Sequence, residues 1–360
     1  MIKRLLTAVI ATAMLGCVQA VAQRLEWSVD FNTVFDNREG DNKMTDTRTF
    51  FHTQLSPEIG VSMLDGTHRL MGGVVWTQPI GSEWYGKRLS PTLYYRYSGG
   101  DRGWSVAMGM FPRTLMRRQL PNYVWNDSIC YMQRNVRGFM ATYGGDEGYF
   151  EALVDWRAMQ SESRREAFNV IAHGEWQRPG GLFMAGGVAV MNHFALTSNP
   201  GPDQHIVDNF LVNPYIGLDF TERTGLDSLA VRVGALSSIT RNRAFDKWKM
   251  PVGAWLDVTL QWRWLEWHNT TYAGGKLFPY YSDFGPLLDQ GEPYYRSSWY
   301  NRTSVYGTII DNRFVNMRAS LDFNLAESNF TFYQRLIVRV YIDSSFKKLS
   351  NSHKLKPCLP

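Results

Sequence analysis

The segment FPRTLMRRQLPNYVWNDSICYMQR, residues 111–134, sets Arg113, Arg117, Arg118 and Arg134 against a single acid, Asp127. Arginine carries a rigid fork of donors that suits carboxylates and phosphates, so such a cluster could attract or select anions. Leu115, Met116, Leu120, Val124, Trp125 and Ile129 lie among the charges, and a loop surrounded by water has no use for them. The segment therefore reads as one that folds against a wall and narrows a passage, with the four arginines at the constriction. Residues 278–302, rich in Tyr, Phe and Pro, have the same character.

Other chemistry finds less support. His173 and Glu175 stand two apart on a stretch that reads as a strand, and His193 is expected on the same inward side. No serine sits in a G-x-S-x-G context, so no catalytic residue is assigned and the chain is expected not to be an enzyme. Gly274-Gly275-Lys276 lacks the rest of a phosphate loop. Residues 36–46, DNREGDNKMTD, could offer oxygens to calcium, but their spacing matches no EF-hand, and a solvated acidic loop is the expectation. With three cysteines, Cys17, Cys130 and Cys358, and no C-x-x-C pair, neither a disulfide framework nor a zinc site is expected. No metal or other cofactor is assigned.

The elements that carry these residues follow from alternation. In FVNMRASLDFNLAESNFTFYQRLIVRVYID, residues 314–343, apolar and polar residues trade places with period two, as on a strand with one dry face. Residues 25–35, 149–157, 212–221 and 254–264 repeat the pattern, and no comparable stretch has helical period. Sixteen strands are expected: 24–36, 49–63, 68–78, 88–98, 103–112, 135–144, 148–158, 166–178, 181–194, 207–221, 227–239, 250–266, 269–277, 303–310, 313–325 and 329–342. If 269–277 and 303–310 were loop, fourteen would remain. Even-numbered connections are tight, among them Pro179-Gly180 and Trp267-His268, whereas odd-numbered ones are mostly long. Short turns on one side and long loops on the other mark a transmembrane barrel rather than a soluble sandwich. Outward aromatics such as Trp27, Trp104 and Trp176 near the tight turns, and Phe35, Trp156 and Phe194 near the long loops, bracket an aliphatic band. The mean hydropathy of −0.30 does not oppose this, because barrel strands hide their apolar residues in alternation.

At the start, Lys3 and Arg4 precede an apolar stretch and Ala20-Val21-Ala22, which reads as a signal peptide over residues 1–22. Leu15-Gly16-Cys17 offers a lipidation alternative. Removing Lys3 and Arg4 takes the formal charge from +5 to +3 (5 − 2), and the basic residues are dispersed, so nucleic acid is not an expected partner. Residues 23–343 are expected to form the barrel, and 344–360 read as a disordered tail.

The lumen lining then includes Arg96, Arg263, Arg318, Asp322, Arg335 and Arg339, together with Arg137 and other charges of both signs. A barrel of ~16 strands encloses water, so these charges are expected to stay solvated. The chain resembles, by architecture, the porin-like β-barrels of the Gram-negative outer membrane, of the Bacteroidota type. That resemblance implies an all-β, antiparallel up-and-down transmembrane barrel in contact with outer-membrane lipid and lipopolysaccharide, and it allows a homo-oligomer. The expected function is passive diffusion of small polar or anionic solutes. The alternative is a receptor or glycan-binding barrel whose loops grip a ligand.

Overall fold

In a computed structural model, the structure describes residues 23–345 apart from 41–43, 46, 82–88, 100–102, 146, 222 and 246. The signal peptide, Cys17, Cys358 and nearly all of the expected tail lie outside the described residues. Seventeen antiparallel strands form one sheet. They are β1 Arg24–Glu39, β2 Arg48–Met63, β3 His68–Pro79, β4 Leu89–Ser98, β5 Trp104–Pro112, β6 Asn135–Gly145, β7 Gly148–Ala158, β8 Ala167–Gln177 and β9 Phe183–Phe194. There follow β10 Val207–Asp219, β11 Ser228–Asn242, β12 Lys247–Lys249, β13 Val252–Trp262, β14 Leu265–Gly274, β15 Trp299–Asp311, β16 Val315–Ala326 and β17 Asn329–Asp343. β12 has only three residues and pairs with the tip of β11 beyond the point where β13 takes over, so sixteen strands run the length of the wall. β1 pairs with β17 from Ser28↔Asp343 to Glu39↔Phe332, and the sheet closes on itself. A closed sheet has no edge with unpaired backbone, which is what a bilayer demands.

Alternation sets the two faces. On β16, Asn316, Arg318, Ser320, Asp322 and Asn324 are buried toward the lumen, while Leu321 and Leu325 are exposed on the outside. Exposed Trp27, Trp104, Phe150 and Trp176 stand near the tight-turn rim, and Trp248, Trp299 and Phe330 near the long-loop rim. Aliphatic residues such as Ile59, Val233 and Leu256 are exposed between them. The barrel therefore wears an apolar belt flanked by aromatics, the dress of an outer-membrane protein.

One turn departs from expectation. The β13–β14 hairpin turns at Arg263-Trp264, not at Trp267-His268, with Trp262 paired to Leu265. Arg263 takes φ +55°, a conformation that two-residue hairpins usually give to Gly or Asn. Its guanidinium lies 5.1 Å over the Trp262 ring. Arg263 is consequently an exposed turn residue and not part of the lumen lining.

Candidate functional site

Two loops fill the lumen. The first, residues 113–134, leaves β5, makes a short 3-10 turn at Arg113–Leu115, and ends in the helix α1, Asp127–Met132. Asn126 caps α1 by accepting a hydrogen bond from Ile129 N at 3.0 Å. The second, residues 275–298, carries short helical turns at Tyr281–Phe284, Gly285–Leu287 and Pro293–Arg296. Asn126 N donates to Gln290 O at 2.9 Å, Glu292 N to Asn122 O at 2.8 Å, and Tyr295 Oη to Asn122 Oδ1 at 2.8 Å, so the loops brace each other. Their apolar residues join one core: Leu120, Tyr123, Trp125, Leu277, Tyr294 and Tyr295 are all buried against lumen-facing residues such as Trp255 and Tyr300.

Bonds to the wall come from around the circumference. Tyr123 Oη donates to Asn213 Oδ1 on β10 at 2.7 Å. Gln54 Nε2 on β2 donates to Tyr131 O at 2.8 Å. Asn169 Nδ2 on β8 reaches Gln290 Oε1 at 2.8 Å, Asn209 Nδ2 on β10 reaches Asp289 Oδ1 at 2.9 Å, and an Arg157 amine on β7 reaches Leu287 O at 2.9 Å. Asp127, the single acid of the first loop, accepts from Arg302 on β15 and Arg335 on β17, both at 2.8 Å. Burial would raise its carboxyl pKa, but the two guanidiniums outweigh that and hold it below the usual carboxylate range. In the second loop burial pushes Asp289 up to about 7 against the opposing pull of Asn209 and Arg157. Burial and then the charge of Asp127 push Glu292 up to about 6.

The four loop arginines divide. Arg113 pairs with Asp155 at 3.1 Å and lies over Trp125, and Arg134 pairs with Asp30, so both serve as struts. Arg117 and Arg118 are exposed at the loop's tip, where Arg118 meets Glu175 at 2.8 Å. Of the expected lining, Arg96, Arg318, Asp322, Arg335 and Arg339 do face inward. Their charges are mostly not bathed in water. Arg318 pairs with Glu266 at 2.7 Å, Arg339 with Asp30 at 2.9 Å, and Asp322 with Arg302 at 3.0 Å and with Arg335, nearly all of them buried. The expectation of solvated charges fails because the loops take the water's place, and a buried ion needs a partner. Arg137 and His193 also depart from expectation, since both fall on the outward face. β9 has apolar residues on both faces, so its sequence gives no phase to read.

Below the loops, toward the tight-turn end, lies a cavity of about 350 Å³ bordered by Tyr149, His173, Tyr215, Arg232, Trp255 and His268 among others. His173 Nε2 meets Glu151 Oε1 at 2.9 Å with Tyr149 at its other nitrogen, and His268 Nε2 meets Asp257 Oδ2 at 2.5 Å. Each histidine is thus oriented by a carboxylate, an arrangement suited to hold or move a proton. Among the described residues no cluster of His, Cys, Asp and Glu is arranged to hold a metal ion.

Closed sheet, aromatic rims and inserted loops define a porin-like barrel of the outer membrane. The family model for lipid A 3'-O-deacylase-type proteins matches residues 18–356, and the chain belongs to that family. The family is named for an enzyme, which overturns the expectation of no catalysis drawn from the missing serine motif. Similar solved structures include OprB of Pseudomonas putida (TM-score 0.51, 9% identity, covering 89% of this chain and 94% of that one). A BenF-like porin from Pseudomonas fluorescens gives TM-score 0.51 at 8% identity over 90% of this chain and 100% of the other. The outer-membrane protein OpdK of Pseudomonas aeruginosa gives 0.50 at 10% identity over 89% and 99%. At such identities these likenesses establish the fold. No curated protein matches the chain.

Proposed function

We propose that the protein is an outer-membrane hydrolase that cleaves an acyl ester of lipid A, with the packed barrel interior serving as a rigid scaffold. The observation that carries this reading is the family match over residues 18–356. The filled lumen agrees with it. Two loops bonded to each other and to strands around the wall stiffen the barrel, as a site on its outside requires. A lipid in the outer leaflet meets the barrel from that outside. The test is incubation of the purified full chain with lipid A in detergent micelles, followed by mass spectrometry. Loss of one acyl chain is expected, and lipid A that stays intact at enzyme excess rejects the reading.

A second reading, passage of small polar or anionic solutes, is favoured by a specific observation. Arg117 and Arg118 are exposed at the loop tip, beside Arg178 and the tight-turn opening. Arginine rings at a narrow point favour anions. Planar-bilayer recording should then show a mild anion preference that shifts toward the non-selective value in Arg117→Ser/Arg118→Ser. A wild type that carries no current removes this reading.

A further inference from the structure

On the long-loop side, the aromatic rim is interrupted by charged groups across β9, β10 and β11. Reading across neighbouring strands on the outward face, the registered pairs run Trp156↔Phe168, Phe168↔His193, His193↔Asp208, Asp208↔Arg241 and Arg241↔Trp248. Six side chains on β7, β8, β9, β10, β11 and β12 thus stand in one row at the level of the strand tips. The ends of the row are what a membrane interface favours. Trp156 stacks on Phe168 at 4.7 Å, Phe168 on His193 at 4.4 Å, and the Arg241 guanidinium lies 4.6 Å from the Trp248 ring centre. The middle is not: His193, Asp208 and Arg241 present polar and charged groups on a face that is mostly apolar.

These groups are held in place. Asp208 takes Nε and a terminal nitrogen from Arg241 at 3.0 and 2.8 Å, and the same pair of donors from Arg243 at 3.1 and 2.8 Å. His193 Nε2 stands 3.4 Å from a Glu166 oxygen at the start of β8. Asp208 thus draws together two guanidiniums, one at the end of β11 and one just beyond it. Arg243 is half exposed, and of its five N–H groups Asp208 engages two, so three remain (5 − 2). A guanidinium pre-oriented by a carboxylate and flanked by aromatic rings fits an anionic group attached to a sugar. The phosphate supplies bidentate oxygens, and the rings cover the sugar face and the first methylenes of a chain.

We propose that His193, Asp208, Arg241 and Arg243 form a seat for the phosphorylated sugar headgroup of an outer-leaflet glycolipid, bracketed by Trp156, Phe168 and Trp248. This rests on the reading that the substrate is such a lipid, and it says where on the barrel that lipid is gripped. The seat lies at the interface, where charge on a barrel wall costs least and where a headgroup sits. Nothing in it requires the lumen.

Native mass spectrometry of the detergent-solubilised full chain tests the seat with three probes: bis-phosphorylated lipid A, dephosphorylated lipid A and phosphatidylglycerol. Wild type should retain bis-phosphorylated lipid A, and affinity should fall on the order of tenfold when the phosphates are removed. Arg241→Ser/Arg243→Ser should show a similar fall, and Arg243→Gln, just beyond the end of β11, a smaller one. Heat-modifiable electrophoretic mobility reports that each barrel is folded, and Arg243→Gln carries the test if the double variant is not. Arg24→Ser, on the opposite rim, should leave binding unchanged. Equal retention by wild type and Arg243→Gln, or equal binding of all three lipids, overturns the seat. Tight, phosphate-dependent binding without deacylation keeps the seat and removes the hydrolase reading. Deacylation at the wild-type rate with unchanged binding in the arginine variants does the reverse.

Discussion

Asp127 joins three elements through one carboxylate, since α1 carries it while β15 and β17 supply Arg302 and Arg335. Asp127→Ala should leave two buried guanidiniums short of a counter-charge, a change that typically costs ~3–5 kcal/mol. The expected outcome is a lower unfolding temperature and faster hydrogen exchange over residues 113–134; exchange unchanged from wild type would show that the acid is not what seats the loop. Burial pushes the neighbouring Cys130 thiol up to about 12. Maleimide should therefore label it slowly in wild type and faster in Asp127→Ala. At this scale the sequence was partly readable. The arginine excess of residues 111–134 and its apolar companions announced a loop that packs inside. That Arg113 and Arg134 would be struts, and Arg117 and Arg118 the exposed pair, depended on acids supplied by β1, β7 and β8. The outward row is not legible in the sequence, because its members are spread from residue 156 to 248 and meet only through register.

Strands were the most legible elements, because a wall with one lipid face and one polar face writes its period directly into the chain. All sixteen long strands fall where alternation and turn residues put them, and the largest error is the β13–β14 turn, displaced by about four residues from the Trp267-His268 expected. The turn at Arg263 was illegible because it lacks the glycine or asparagine that normally marks such geometry. Among the inserted elements, the second loop should respond to pH. Asp289 keeps its proton to about 7 in the folded protein but releases it near the ordinary carboxylate value when unfolded. The unfolded chain binds fewer protons between those limits, so stability falls as pH rises from about 4 to about 7 and is flat above. Hydrogen exchange over residues 285–296, after division by the intrinsic amide rate at each pH, should accordingly quicken between pH 5 and pH 8. Asp289→Asn should abolish that quickening, and persistence of the same pH dependence in the variant would point to Glu292 instead. On the lipid side, Val258→Arg on the outward face of β13 should cost ~2–4 kcal/mol if it sits near the midplane. A shift in thermal midpoint measures it, and an unchanged midpoint would contradict the assigned face.

For the molecule as a whole, the join between first and last strands carries an implication for how the barrel comes to exist. β1 and β17 are far apart in the chain and meet only when the sheet becomes a cylinder. The first loop bridges that join from within: Arg134 meets Asp30 and Tyr131 meets Arg38 on β1, while Asp127 meets Arg335 on β17. Neither side of this bridge is complete while the sheet is still open. Arg339 on β17 meets Asp30 on β1 across the join directly, and the loop adds the remaining links from within. Zipping shut the last pair of strands and seating the loop are therefore expected to be coupled in biogenesis. A chain damaged at Asp30, Asp127 or Arg335 would stall on the assembly machinery as an unsealed sheet instead of reaching the membrane as a leaky barrel.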